Sequence, residues 1–261
     1  MSVVTNHAKQ RLQAGQIAAG FGLSRLRTVD AASIAQACGF HWLFIDLEHS
    51  SIDVDLASQM SMAALNSGVT PLVRPSSQNP HHMTRLLDGG AMGVVVPHVD
   101  TPKEAEAIVA ACKYSPVGHR SMYGVLPQLG FAALPAEQAI EILNDTIMIV
   151  VMIESPTAVA NAEAIAAVAG VDGLLIGTSD LAAESGIPGQ FNHVKIEAAY
   201  QDVIDACRKH GKIPGMGGVY SNSLLENYIR MGMRMILAGS DVSFMITAAT
   251  QRGEFLQNLA T

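Results

Sequence analysis

Six residues of this chain have the types and the spacing to do chemistry together: Asp46, Glu48, His49, Arg74, Glu154 and Asp180. Each stands at or just beyond the point where an apolar run stops. Phe44-Ile45 leads into Asp46, Glu48 and His49; Pro71-Leu72-Val73 leads into Arg74; Ile147 to Ile153 leads into Glu154; Gly173 to Gly177 leads towards Asp180. Two carboxylates at the ends of neighbouring strands can hold a hard divalent cation through oxygen and leave positions for water and substrate. Glu154 follows seven apolar residues, and a charge so placed needs a partner. Asp180 has a second reading, as the cap of a following helix. A carboxylate three residues before an imidazole, as in Asp46 and His49, can set the ring's tautomer and raise its basicity for general-base work. The plainer reading is a helix-start aspartate and a surface histidine. Arg74, just before Pro75, suits a carboxylate or a developing oxyanion. Its alternative is a salt bridge to Asp46 or Glu48.

Residues so placed need a scaffold of parallel strands, because ligands of parallel α/β proteins bind outside the carboxyl ends of the strands. Eight apolar segments read as strands: Gln16–Gly20, Trp42–Asp46, Thr70–Arg74, Gly93–Pro97, Ile147–Glu154, Gly173–Gly177, Lys212–Met216 and Met235–Ala238. Helical patterns separate most of them. Val54–Asn66 puts Leu56, Met60, Ala63 and Ala64 on one face. Asn79 caps a helix running to Asp88, and Gly89-Gly90 stops it. Thr101 and Glu104 have the form of a capping box, with Pro102 at the first helical position. Thr157–Ala169 and Val194–His210 are further helices. Eight repeats of strand and helix predict a closed (β/α)8 TIM barrel, with residues 1–261 forming a single domain; a doubly wound open sheet is the alternative. Tyr114–Gln138, rich in Gly and Pro, reads as a long loop, and long loops in compact domains are often functional.

Composition narrows the class. Of 261 residues, 49% are hydrophobic and 15% charged, a balance that suits one large buried core. A net charge of −7 without a basic cluster argues against nucleic acid. Cys38, Cys112 and Cys207 form neither a disulfide framework nor a CxxC metal pattern, which favours a reducing compartment. No apolar run approaches a membrane span and no secretory signal opens the chain, so the expectation is a cytoplasmic protein. The string Gly215-Met216-Gly217-Gly218 lacks the elements of a phosphate loop and reads as close backbone packing at the mouth. No strand carries the interior lysine that an imine-forming aldolase needs.

These blocks resemble a known family. Phe44-Ile45-Asp46-Leu47-Glu48-His49-Ser50, Val73-Arg74-Pro75, Leu87-Asp88-Gly89-Gly90-Ala91, Val96-Pro97, Ile153-Glu154-Ser155, Ala169-Gly170-Val171-Asp172-Gly173 and Gly177-Thr178-Ser179-Asp180-Leu181 are similar, in order, to the motifs of the HpcH/HpaI aldolases, metal-dependent class II pyruvate aldolases. The resemblance spans about residues 15 to 245. It implies a barrel whose C-terminal helix is exchanged between subunits, assembled as a hexamer, a trimer of dimers. It implies that Glu154 and Asp180 ligate Mg2+ or Mn2+; a set of two carboxylates also suits Co2+. It further implies that Arg74 holds the ketone oxygen of pyruvate, that His49, steered by Asp46, moves the proton, and that amides near Thr178 and Ser179 receive the substrate carboxylate. Asp88 matches an acidic residue lent to the neighbouring subunit's site. The chain departs from the family at Met152, where glutamine is common, at Thr178 and Ala182, and at Ser121 in the long loop, placed near the aldehyde end of the site. The activity implied is reversible cleavage of 4-hydroxy-2-oxo acids to pyruvate, or a close 2-oxo acid such as hydroxypyruvate, and an aldehyde through a metal-stabilised enolate. A related lyase such as an oxaloacetate decarboxylase, and a non-catalytic 2-oxo-acid-binding barrel, are the alternatives.

Overall fold

Short apolar runs flanked by helices settle into eight parallel strands: β1 (Ala18–Leu23), β2 (Trp42–Asp46), β3 (Thr70–Arg74), β4 (Gly93–Val96), β5 (Met148–Ile153), β6 (Gly173–Gly177), β7 (Ile213–Gly217) and β8 (Met235–Ser240). They pair in chain order, and β8 returns to β1, so the barrel is closed. The computed structural model describes residues 3–259. Among them no helix is long and apolar enough to cross a membrane.

Period-two alternation splits the core into two clusters. Trp42, Phe44, Leu72, Val95, Met148, Val150, Met152 and Leu175 fill the barrel interior. Leu43, Ile45, Val73, Ile149, Val151, Leu174 and Ile176 point outward, beneath the helices. The interior residues therefore occupy alternate positions, and continuing the alternation upward decides what projects into the mouth.

The caps predicted at Asn79 and Thr101 form, and the structure adds a pair at the helix after β2. Asp53 opens the helix Val54–Ser67, and Gly68, at φ +75°, closes it. Asn79 opens Pro80–Asp88. Thr101 and Glu104 complete both halves of their capping box at Pro102–Cys112. The predicted helix Thr157–Ala169 is instead two short helices, Pro156–Ala160 and Ala162–Ala166. Asn161 breaks it: its side-chain amide donates to Asp100 O at 2.8 Å. The first strand lies about two residues later than its pattern suggested. Gln16 and Ile17 belong to the turn out of an unanticipated helix, His7–Gln13, and Gly20 and Gly22 dilute the strand signal.

That N-terminal helix plugs the barrel floor. Ala8 and Leu12 are buried against the interior, the Ala8 N–H donates to Thr70 Oγ1, and Lys9 pairs with Asp172 at 3.1 Å. Above it, the Trp42 indole N–H donates to Ala18 O at 3.1 Å, and the ring fills the space that a Cβ on Gly20 would enter. At the other end of the chain, the helix Asp241–Leu259 buries none of its side chains fully. Phe244 in its first turn stacks near Phe21 and Phe40, with ring centroids 5.4 and 5.6 Å away. Further along, Met245, Ile246, Phe255, Leu256 and Leu259 face outward.

Candidate active site

The interior alternation carries three charged residues into the mouth. On β2 the sequence Trp42, Phe44 ends in Asp46; on β3 Leu72 is followed by Arg74; beyond β5 Met148, Val150 and Met152 are followed by Glu154. Each sits on top of the packed apolar interior at the C-terminal face, where barrel enzymes keep their sites. The three line a cavity of about 400 Å³ together with His49, Thr178, Ser179, Asp180 and Tyr220.

Arg74 is the hub. Its Nε and Nη2 donate to the two carboxylate oxygens of Asp46 at 2.9 and 2.8 Å. Nη1 lies 2.8 Å from Glu48 Oε2, an ion pair off the hydrogen-bonding angle. The guanidinium also lies over the Phe44 ring, 5.0 Å from its centroid. Burial alone would lower the Arg74 pKa, but Asp46 and Glu48 more than offset it, so the charge is held firmly. Burial would likewise raise Asp46, and the Arg74 fork reverses that, with the carboxyl ending below its ordinary value. The salt-bridge reading of Arg74 is thus realised with both candidate partners, while its guanidinium still borders the cavity.

The structure corrects the expected pairing of Asp46 with the His49 ring. Asp46 Oδ1 accepts from the backbone N–H groups of Glu48 and His49, and its remaining capacity goes to Arg74. The imidazole stands 66% exposed at the rim, with Glu48 Oε2 as its carboxylate neighbour at 3.9 Å. Asp46 shapes the turn that carries His49; it does not touch the ring.

Glu154 is 2% exposed. Burial pushes its carboxyl up from the ordinary value; the His98 backbone N–H and ring work against that, and the charge of Asp180 adds to it. Its Oε2 accepts from the His98 N–H at 2.9 Å. His98 adopts φ +54°, an uncommon left-handed conformation, and its ring nitrogens lie 3.3 Å from Glu48 Oε1 and 3.5 Å from Glu154 Oε2. The ring bridges two carboxylates at the mouth, so His98, which the sequence did not place among the six candidate residues, belongs with them. Its position directly after β4 was the available signal.

Asp180 is not a cap. The helix Thr178–Glu184 starts from Gly177, and Asp180 is in its first turn, where a negative charge is favoured. Thr178 turns its hydroxyl away from the cavity, to Tyr200 Oη and Gly217 O, both at 2.7 Å. Its main chain is what faces Gly218: a Cβ there would sit 3.2 Å from Ser179 N and 3.5 Å from Thr178 N. Gly218 has φ +85°, so glycine both adopts the turn and leaves these amides uncovered.

Glu154 and Asp180 together suit a hard divalent cation. One carboxylate is buried, a second lies close enough to raise it, and no cationic side chain pairs with Asp180 among the described residues. No group of three or more His, Cys, Asp or Glu among the described residues is arranged to hold a metal ion; two carboxylates alone would leave the remaining positions of such an ion to water and substrate. No lysine lines the cavity. Lys113 is buried, but at the barrel floor, where it donates to Asn144 O at 2.6 Å and to Ile147 O.

Asp88 lies apart from this mouth. It ends Pro80–Asp88 just before β4 begins, at the opposite end of the barrel, and pairs with Arg120 at 2.6 Å. The loop after Pro102–Cys112 holds a short 3-10 turn, Pro127–Leu129, and Gln128 fastens it to Leu87 O and Ala91 O. None of its residues lines the chain's own cavity.

A parallel eight-stranded barrel with buried acid–base groups at its C-terminal mouth defines a barrel enzyme, and comparison with known proteins gives its class. Residues 24–248 match the model of the HpcH/HpaI aldolase/citrate lyase family. The chain is 38% identical to a 4-hydroxy-4-methyl-2-oxoglutarate aldolase of Chaetomium globosum, over 94% of this chain and 92% of the relative. It is 36% identical to a hydroxypyruvate/pyruvate aldolase of Sagittula stellata, over 97% and 98%. A crystal structure of an HpcH/HpaI aldolase from Desulfitobacterium hafniense superposes with a TM-score of 0.91 at 28% identity, covering 95% of this chain and 96% of the other. The chain belongs to the HpcH/HpaI aldolase/citrate lyase family and is a carbon–carbon lyase of the aldolase class.

Proposed function

We propose that the protein reversibly cleaves 4-hydroxy-2-oxo acids to a pyruvate-type 2-oxo acid and an aldehyde or ketone, with a divalent cation at Glu154 and Asp180. The observation that carries this reading is the convergence of a buried carboxylate, a second carboxylate and a guanidinium on one mouth by strand alternation. The names of the relatives, pyruvate and hydroxypyruvate aldolases among them, support the donor class. Mg2+, Mn2+ and Co2+ all fit a two-carboxylate site. When bound, such an ion draws electron density from the substrate ketone and carboxylate.

The chain's own residues do the rest. Arg74, held in place by Asp46 and Glu48, offers donors to the ketone oxygen as negative charge grows there, and its fixed fork needs no reorganisation at that moment. The uncovered amides of Thr178 and Ser179 hold the substrate carboxylate at a helix start. His49, exposed and free to reach the substrate, moves the proton of the hydroxyl that becomes the aldehyde. Asp88 faces away from its own mouth and is available to a neighbouring subunit. The outward apolar side chains of Asp241–Leu259 call for a covering, which an exchanged C-terminal helix in a hexamer provides. The absence of a paired cysteine set supports a cytoplasmic setting.

Chelation tests the reading. Excess EDTA should abolish cleavage of a 4-hydroxy-2-oxo acid, and Mg2+, Mn2+ or Co2+ should restore it, while Glu154→Gln and Asp180→Asn should bind none of the three. Full activity in excess EDTA would sink it.

A further inference from the structure

Asp241 follows β8 directly, and its carboxylate reaches back across the seam of the barrel. Oδ2 accepts the backbone N–H groups of Ser24 at 3.2 Å, Arg25 at 2.8 Å and Leu26 at 2.5 Å. Oδ1 takes the Ser24 hydroxyl at 3.1 Å and the Val242 N–H at 2.8 Å. Three consecutive amides aimed at one anion form a nest, the kind of concavity that elsewhere receives a ligand's phosphate or carboxylate. Here a side chain fills it. A helix-start aspartate has use for one or two amides of its own helix; four of these five donors belong to the opposite end of the chain.

What the nest secures is one wall of the cavity. Gly22, Leu23, Ser24, Gly239 and Ser240 all line it. In the closed order β1 stands four strands from β5 in either direction, so this wall is diametrically opposite Glu154. The wall is irregular in its backbone. The β1–β8 register slips between Gly20 and Gly22, and Gly239 sits at φ +154°. The strands also meet backbone to backbone, since a Cβ on Gly22 would lie 2.9 Å from Gly239 O. The side-chain hydrogen bonds of Asp241 go to Ser24, Arg25, Leu26 and Val242, none of them a donor anchor of the proposed reaction.

We propose that Asp241 is a positioning residue that fixes the β1/β8 wall as the subsite for the acceptor carbonyl compound, across the mouth from the bound 2-oxo acid. The inference rests on the aldolase reading above. Glu154, Asp180 and Arg74 line one side of the cavity and the β1/β8 residues the side opposite β5, which leaves that wall to the second substrate. The wall offers glycine backbone and serine, and no cation.

The test separates the two half-sites. Full-length wild type, Asp241→Ala and the milder Asp241→Asn, each saturated with Mn2+, are compared in two assays. The first is exchange of the pyruvate methyl protons into D2O without an aldehyde, which uses the donor half alone. The second is addition of pyruvate to glycolaldehyde, with KM for the aldehyde. Thermal unfolding reports stability. The expected result is proton exchange within about threefold of wild type and an aldehyde KM raised about tenfold or more, as for a misplaced binding surface. Formate should partly restore the KM of Asp241→Ala by filling the vacated nest. Exchange and addition falling in the same proportion in both variants, or an unchanged aldehyde KM, would overturn the proposal. Wild type that exchanges no protons would instead overturn the aldolase reading, and this inference with it.

Discussion

One methyl group at Gly177 should test whether the placement of Glu154 matters. Gly177 has φ −87° and ψ 87°, outside the left-handed region, so alanine meets no backbone penalty of that kind. The difficulty is contact. A Cβ there would lie 2.7 Å from Glu154 Cγ and 2.9 Å from Cδ, and nearer still to Oε1. Carbon atoms rest at about 3.5 Å or more, so the side chain must withdraw by roughly 1 Å. Rotating the carboxylate does not relieve an overlap that includes Cγ. Open space is also lacking, because Glu154 is buried and its Oε2 is held by the His98 N–H. A displacement of about 1 Å in a reacting constellation costs on the order of 10²-fold, or about 2.7 kcal/mol. Gly177→Ala should therefore weaken Mn2+ binding, measured by calorimetry, and cut kcat at saturating Mn2+, each by roughly that factor. Overpacking also costs about 1–3 kcal/mol of stability, worth a few degrees in Tm for each kcal/mol. The circular dichroism spectrum should stay that of the parent. A variant with native Mn2+ affinity and native turnover would refute the reasoning, since the carboxylate would then have moved without consequence.

Arg74→Lys keeps the charge but loses the fork to Asp46, and should lower kcat by about 10²–10³ with a smaller change in KM; a fully active variant would remove Arg74 from the reacting oxygen. His49→Ala should leave Mn2+ and pyruvate binding intact and cut turnover by roughly 10²–10⁴, and normal turnover would move the search for the base to His98 or Glu48. Asp46 has a folded carboxyl value below its ordinary 3.8, so the stability it contributes is complete above that value and fades as pH falls through the lower one. Melting temperature should accordingly drop more steeply for wild type than for Asp46→Asn between about pH 5 and pH 2, and parallel slopes would show that the pair stores no such stability.

The barrel was legible because its strands are apolar on both faces and its helices carry their own caps. The apolar run before Glu154 fixes both a central strand and the outward end of it; Thr101 and Glu104 announce a helix start with residues that no other local structure needs. The site was legible for a related reason. A charge that ends a buried strand can point only into the mouth or into a helix, and period-two counting from Trp42 or Met148 decides between them. Distances could not be read. Sequence proximity suggested that Asp46 serves His49, whereas alternation sends the Asp46 side chain inward to Arg74 and leaves His49 in the turn beyond. His98 escaped because its importance comes from pairing across strands, with Glu48 on one side and Glu154 on the other. Asp241 escaped for the same reason on a longer scale, its partners lying 217 residues away for Ser24. The floor helix His7–Gln13 is too short for a periodic signal, and it is held by tertiary contacts that only a finished barrel supplies.

Trp42 is the one tryptophan of the chain, and its indole is bonded to β1 at Ala18 and packed over Gly20. Those two residues also pair with Met235 and Leu237 of β8. The single strong fluorophore of the protein therefore sits beside the seam where the last strand made meets the first. Until β8 arrives, β1 has an open edge and nothing holds Ala18 and Gly20 against the ring from the far side. Tryptophan emission should accordingly follow the sealing of the barrel, while circular dichroism follows the local helices that precede it. Long-range closure of this kind is slow compared with helix formation. Refolding watched at both wavelengths would then resolve in time what the sequence keeps apart in space, a ring of independently capped units and the stitch that makes them one enzyme.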